Sequence, residues 1–290
     1  MKPVPNAVIG GSGLYQLEGM TDIQEIEVVT PFGSPSDAIT VGDLEGIRVA
    51  FLPRHGRGHR ISPTELPVRA NIYALKSLGV QRIIASSACG SLREDYAPRD
   101  IVIPDQLYDR TRHRAPHTFF DEGIVAHIGF ADPFCPELRR VLLEAAQAAG
   151  ATVHDGGTMV VMEGPQFSTR AESAAYRQLG FDTIGMTALP EAKLAREAEI
   201  CYASMNLVTD YDVWHSEHGE VTVEMVVANM RANLETAKQI IRRALPAMEA
   251  MGDDASCGCP TALAGAIITD RTRIPTSKVE QLKLLIDKYV

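Results

Sequence analysis

Arg82-Ile83-Ile84-Ala85-Ser86-Ser87-Ala88-Cys89-Gly90-Ser91 is the stretch on which the fold turns. Its opening run, Ile83-Ile84-Ala85, is apolar and partly β-branched, which predicts a buried strand over residues 82–87. The residues that follow are small and polar and contain a glycine. Immediately upstream, residues 67–78 place Val68, Ile72, Leu75 and Leu78 at helical spacing, and Gly79 stops that helix. A helix feeding a short apolar strand predicts an α/β chain built around a central mixed sheet. Ligands of open α/β sheets gather at strand ends, so Ser86-Ser87 and Cys89-Gly90-Ser91 are candidate site residues. The competing reading is a small-residue turn required by packing.

The same alternation runs outward in both directions. Ala7-Val8-Ile9 reads as a strand entering Gly10-Gly11-Ser12-Gly13, and residues 49–53 as a strand ending at Arg54-His55-Gly56-Arg57. Residues 101–104 are short and β-rich, and residues 136–150 form an amphipathic helix closed by Gly150. Residues 158–162 lead into Glu163-Gly164-Pro165-Gln166-Phe167; Thr169 and Glu172 fit a capping box for a helix ending at Gly180. Strands over 182–186 and 200–209 flank a helix over 191–199. Helical periodicity covers 221–251, with Pro246 as the expected break. The tail carries an apolar patch over 262–268 and a last helix from Thr276. Residues 110–132, with His113, His117 and His127, are irregular and read as a long functional or interface loop. No linker or repeat interrupts the chain, so the expectation is one domain over 1–290, with 252–290 as a C-terminal extension packed on it.

Composition narrows the function classes. A chain of 290 residues with 45% hydrophobic residues affords a sizeable core without disulfide staples or a structural metal. A formal net charge of −9 repels phosphate backbones, which argues against a nucleic-acid partner. A small anion is still allowed, because local N–H groups and one arginine outweigh a distant net charge. No apolar run before Gly10 resembles a leader, and no span suits a membrane. The five cysteines are odd in number; Cys89, Cys135 and Cys201 are scattered, which suggests reduced thiols and a cytoplasmic chain. Cys257-Gly258-Cys259 reads as free thiols ahead of a local disulfide or redox pair.

Gly10-Gly11-Ser12-Gly13 lets backbone N–H groups approach an anion, with a hydroxyl at Ser12. It is no dinucleotide fingerprint, since Gln16 stands where the third glycine belongs, and no Gly-Lys-Ser/Thr follows. Alone it is equally a tight turn. Arg54 offers a planar fork for phosphate and His55 a second donor, against the alternative of a solvated basic turn. Cys89 has no base in view and reads as an inert buried thiol. Asp210-Tyr211-Asp212 follows a strongly apolar strand. Two carboxylates in alternation on an extended chain share a side, repel each other and keep one proton, as a general acid requires. The alternative is a pair of surface aspartates. His113 and His117 lack a third metal ligand, His215 and His218 read as surface residues, and no metal or cofactor is expected.

Taken in order, Ile9-Gly10-Gly11-Ser12-Gly13-Leu14, Thr30-Pro31-Phe32-Gly33, Arg54-His55-Gly56-Arg57, Ala88-Cys89-Gly90-Ser91-Leu92-Arg93, Glu163-Gly164-Pro165-Gln166-Phe167, Met186-Thr187 with Pro190-Glu191, and Thr209-Asp210-Tyr211-Asp212 resemble the 5′-methylthioadenosine phosphorylases of the trimeric purine nucleoside phosphorylase family. The resemblance covers residues 7–251. It implies a single α/β domain with a mixed, partly barrel-like sheet flanked by helices, and a homotrimer with shared sites. It implies phosphate held by Ser12, Arg54, His55, Ser87, Ala88 and Thr187. Met186 would lie beneath the ribose, Phe167 and Ser168 beside the base, and Asp210 and Asp212 on the purine edge. Val223 and Val227 would line the apolar 5′ pocket, and His127 would come from a neighbouring subunit. Asp210 is the implied catalytic acid, and phosphate is a co-substrate. Family members often carry Asn before Met-Thr, where this chain has Gly185. The implied reaction is phosphorolysis of S-methyl-5′-thioadenosine in purine and methionine salvage. The alternatives are an S-methyl-5′-thioinosine or general purine nucleoside phosphorylase, a hydrolytic nucleosidase, or a non-catalytic nucleoside-binding protein on the same scaffold.

Overall fold

The computed structural model describes residues 2–11, 13–14, 17–114, 116–215, 222–252 and 256–290. Four parallel strands form its centre: β1 (Asn6–Gly10), β4 (Ile47–Pro53), β5 (Arg82–Ser91) and β11 (Cys201–Asp210). β1 lies between β4 and β5, and β5 also pairs with β11. Alternation along these strands builds two cores, because successive side chains leave opposite faces. Ala7, Ile9, Ala50, Leu52, Ile83, Ala85 and Tyr202 enter one. Val8, Val49, Phe51, Ile84, Ala203 and Met205 enter the other.

Helices close both faces. On the first lie α1 (Val68–Ser77) and α4 (Ala188–Glu197); on the second lie α2 (Pro136–Ala148) and α5 (Val223–Ala250). The tail joins them: Leu263, Ala266, Ile274, Leu282, Leu285 and Ile286 are buried in the first core, the last three from α6 (Thr276–Ile286). α3 (Arg170–Gln178) starts at the Thr169–Glu172 capping box read from the sequence.

The sheet branches at β5. β10 (Thr183–Gly185) pairs antiparallel with its last residues and continues through β9 (Thr158–Met162) to β7 (Gln106–Arg110). β11 leads the other arm through β6 (Ile101–Ile103) to β8 (Val153–Asp155). β2 (Thr21–Ile26) and β3 (Ile39–Leu44) extend the sheet beyond β4. The result is a mixed α/β sheet of eleven strands flanked by six helices among the described residues.

Three local expectations need correction. The strand expected over 82–87 runs on to Ser91, because β11 pairs along it and β10 takes over where β1 ends. Pro246 does not break α5, which continues to Ala250. Pro246 lies on the exposed face, while Ile241, Ala244, Leu245 and Met248 stay buried on either side of it. Asp212 is not extended: its φ of 52° places it in the left-handed region, so the chain turns there and the Asp212 N–H reaches back to the Asp210 carboxylate.

Candidate active site

Because β1, β4, β5 and β11 are parallel, their C-terminal ends share one edge. Gly10 pairs with Pro53, and the Arg54 N–H donates to the Gly10 carbonyl at 3.0 Å, joining the glycine turn to Arg54-His55. Ser12 lies outside the described residues. β5 is buried along its length except at Ser87 and Ala88, which are half-buried. Those two residues open the central strand to a ligand. β10 returns antiparallel beside β5 and carries Met186 and Thr187 to the opening; the Thr187 and Ser87 hydroxyls lie 3.0 Å apart.

Arg54 is only 2% exposed, and its fork is already largely occupied. Nε and Nη2 donate to the two Glu191 carboxylate oxygens at 2.8 and 3.0 Å, Nη1 to the Ser86 carbonyl at 3.0 Å, and Nη2 to the Ile9 carbonyl at 3.4 Å. Of five guanidinium N–H groups, this leaves one on Nη1 for a ligand. Burial by itself would lower the Arg54 pKa; Glu191 outweighs it and holds the pKa above its ordinary value. The Tyr202 hydroxyl donates to Glu191 Oε1 at 2.8 Å and completes the group. The sequence offered Pro190-Glu191 as a segment but no sign that Glu191 would be the arginine's partner.

His55 Nδ1 lies 2.8 Å from the Ile61 carbonyl. A carbonyl only accepts, so Nδ1 carries the proton and Nε2 is the acceptor of the neutral ring. Burial, with Arg54 also nearby, lowers the His55 pKa to about 4, so the ring is neutral at pH 7. Toward a ligand His55 is therefore an acceptor and not a second donor, and it suits a P–O–H group better than an unprotonated phosphate oxygen.

At the far end of the opening, Asp210 pairs in register with Gly90, after a bulge beyond Val208. A Cβ at Gly90 would meet Asp210 Oδ1 at 2.9 Å and Ile184 Cγ2 at 3.0 Å, so glycine lets the acid settle against β5. Asp210 Oδ2 accepts from Thr209 Oγ1 at 2.7 Å, and Oδ1 accepts from the Asp212 N–H at 2.8 Å. Burial raises the Asp210 pKa, helped by the Asp212 charge and opposed by these two hydrogen bonds. Burial raises Asp212 as well, against the Ser173 and Ser168 hydroxyls. Asp212 Oδ2 is buried with no hydrogen-bond partner among the described residues, which marks it as an acceptor open to a donor. Thr209 Oγ1 also lies 3.1 Å from the Cys89 carbonyl. When Asp210 is neutral, the Thr209 hydroxyl turns its hydrogen bond to that carbonyl, which leaves the Asp210 proton for a ligand. Thr209 is therefore satisfied in both protonation states, a relay the sequence did not reveal.

Met186 packs over Gly164, where a Cβ would lie 2.5 Å from its sulfur. Gly185 has a physical counterpart: a Cβ there would meet Met159 Cε at 2.1 Å, and Asn206 donates to the Met159 sulfur at 3.3 Å. The Met159 thioether fills the space that any side chain at position 185 would enter. Ser168 is buried, but Phe167, Val223 and Val227 are 42%, 63% and 39% exposed. His127 is exposed, and its N–H donates to the Ala266 carbonyl of the tail, away from these strand ends. Two clefts near Arg114 and Pro190, of about 170 and 250 Å³, are lined by none of Ser87, Thr187, Asp210 or Asp212.

Fold and strand-end group together define an α/β protein whose sheet opens along β5, with hydroxyls at one end and buried acids at the other. Residues 5–246 match the phosphorylase superfamily, and the chain belongs to it. A relative from Chloroflexus aurantiacus, named S-methyl-5′-thioadenosine phosphorylase, is 56% identical over 282 residues, 97% of each chain. One of the same name from Geobacter sulfurreducens is 56% identical over 283 residues, 98% of each chain. Among solved structures, a methylthioadenosine phosphorylase from an Antarctic soil metagenomic library superposes with a TM-score of 0.93 at 46% identity, covering 99% of this chain and 100% of that one. The methylthioadenosine phosphorylase of Schistosoma mansoni in complex with adenine superposes at 0.84 with 36% identity, covering 91% and 98%. Among the described residues, no helix is long and apolar enough to cross a membrane.

Proposed function

We propose that the chain catalyses phosphorolysis of S-methyl-5′-thioadenosine, giving adenine and 5-methylthioribose 1-phosphate. The observation that carries this reading is the gap in the burial of β5 at Ser87-Ala88, with Thr187 beside it and Asp210 three residues along. Three residues of strand span about 10 Å. That separation suits phosphate at one end and the edge of a purine at the other, with the sugar between.

In this reading the Ser87 and Thr187 hydroxyls, the Ala88 backbone, the remaining Arg54 N–H and His55 hold phosphate, with Ser12 from the glycine turn. The anion stabilises the positive charge that develops as the C–N bond breaks, as for an oxocarbenium-like state. Phosphate then captures C1′. Asp210 keeps its proton through burial and gives it to purine N7, so the base does not leave as an anion. Asp212 Oδ2 accepts from the 6-amino group; a 6-oxo group in that place would present a second acceptor and be repelled. Met186 supports the ribose, Phe167 and Ser168 flank the base, and Val223 and Val227 meet the methylthio group. The exposure of Phe167, Val223 and Val227 in a lone chain supports a homotrimer in which His127 of a second copy completes the pocket. The choice of substrate supports a role in purine and methionine salvage, and the free thiols support a cytoplasmic setting, with no cofactor beyond phosphate.

The test is adenine release from S-methyl-5′-thioadenosine with and without phosphate. Phosphate-dependent release, with a sugar 1-phosphate as co-product, supports the reading. Release without phosphate replaces it with hydrolysis, and preference for a 6-oxopurine overturns the role of Asp212.

A further inference from the structure

Four of the five cysteines, distant in the sequence, meet at one point. Cys135 precedes the first turn of α2 as its N-cap, Cys201 opens β11, and Cys257 and Cys259 lie in the segment beyond α5. Their four sulfurs all lie within 4.8 Å of one another. Cys201 Sγ and Cys257 Sγ are 3.4 Å apart, and all four are free thiols. Cys135, Cys201 and Cys259 are buried and Cys257 is partly so. Cys89, the fifth, stands apart near Asp210.

Hydrophobic packing alone gives no reason for four thiols to converge. A tetrahedral tetrathiolate centre does: with metal–sulfur bonds of about 2.3 Å, its sulfur–sulfur edges are about 3.8 Å. The backbone prepares two of the four positions. The Cys135 N–H donates to the Tyr202 carbonyl and the Cys201 N–H to the Gln81 carbonyl, each at 2.8 Å, so α2 and β11 hold these sulfurs in fixed relation. The helix N-terminus also favours a thiolate at Cys135. The tail supplies the other two ligands from a Cys-Gly-Cys step.

We propose that Cys135, Cys201, Cys257 and Cys259 form a closed site for a thiophilic divalent cation of the zinc class. The cation fastens the C-terminal segment to the edge of the sheet. All four positions are filled by protein, so no position is open for water or substrate, and the role is structural. Binding converts four thiols to thiolates and releases their protons to solvent. Cys201 and Asp210 stand at opposite ends of β11, about 30 Å apart along the strand, so the centre takes no part in the reaction at Asp210.

The experiment uses the full chain, purified with a thiol reductant, stripped with a chelator and reconstituted with Zn(II) or Co(II). Elemental analysis is expected to give one metal per chain. The cobalt form is expected to show sulfur-to-metal charge-transfer absorption and the ligand-field bands of a tetrahedral centre. Peptide mass spectrometry should find the four thiols shielded from alkylation when metal is bound and unshielded after chelation, with Cys89 as the internal reference. Cys257→Ser combined with Cys259→Ser should abolish stoichiometric binding; should that variant not fold, the wild-type cobalt spectrum and shielding decide alone. Substoichiometric metal after reconstitution, or metal-independent joining of these cysteines as disulfides in the reduced preparation, overturns the proposal.

Discussion

Asp210 is the residue on which the proposed chemistry depends, and its environment sets a directional pH dependence. Burial holds its pKa above the usual aspartate value, so the acid form persists to higher pH and turnover falls as Asp210 loses its proton. Thr209 works against this by donating to the carboxylate. Thr209→Val should therefore move the alkaline limb of the kcat profile upward; a downward shift would refute the relay. Asp210→Ala should lower kcat by ~10²–10⁴-fold, the typical worth of a general acid, and leave the KM for phosphate nearly unchanged. Near wild-type turnover would remove Asp210 from the mechanism. Ser87→Ala should do the reverse, raising the phosphate KM by about tenfold or more, since a hydrogen bond to a charged group contributes about 1.5–3 kcal/mol. At this scale the sequence was informative where chemistry and chain direction coincide. Asp210 and Asp212 stood out because an apolar strand leads straight into them. Glu191 did not, because its partner Arg54 is 137 positions away and only the packing of α4 on the sheet brings them together. Nor was the turn at Asp212 legible, since a left-handed aspartate looks the same in sequence as an extended one.

Among the elements, those with a strong apolar signal were legible and those defined by their neighbours were not. β1, β4, β5, β9 and β11 are apolar runs, and α2 and α3 carry stop or cap residues. β2 is Thr-Asp-Ile-Gln-Glu-Ile and almost wholly exposed; only its pairing with β3 makes it a strand. β8 has three residues and exists because β6 runs beside it. Pro246 misleads for a related reason. Its missing N–H frees the Arg242 carbonyl, but the proline faces solvent, where water replaces the lost bond, and the buried stripe of α5 continues past it. The local penalty remains. Pro246→Ala should stabilise the protein by up to ~3 kcal/mol, the difference between the two residues in a helix interior. A higher midpoint in urea at unchanged m-value would show it; a lower midpoint would mean that proline's restriction of the unfolded chain is the larger effect.

Across the whole molecule, two carboxylates at the end of α4 attach the two long irregular segments to the sheet. Glu199 accepts from the Leu263 N–H at 3.0 Å and from the Tyr289 hydroxyl, and pairs with Lys288 at 2.6 Å, gathering the tail. Glu197 accepts from the Thr118 hydroxyl at 2.6 Å and the Phe119 N–H at 2.7 Å, gathering the segment that leads to His127. Glu197 is buried, and burial raises its pKa to about 7 in spite of these two hydrogen bonds. The folded protein therefore holds this proton more tightly than the unfolded chain does. The resulting stabilisation is complete below an ordinary glutamate pKa of about 4.3 and is lost as pH rises through 7, a swing on the order of 3 kcal/mol. His55 slopes the other way: its folded pKa near 4 favours the folded state above about 6.5 and the benefit fades as pH falls. The two effects overlap in a single denaturation profile, but Glu197→Gln separates them, because His55 is common to both proteins. Gln keeps an oxygen for the Phe119 N–H and an amide that donates to Thr118, and it does not titrate. The stability of the wild type relative to the variant should thus decline steadily from pH 5 to pH 8, on the order of 3 kcal/mol in all. A difference that stays constant across that range would mean that Glu197 titrates alike in the folded and unfolded chain.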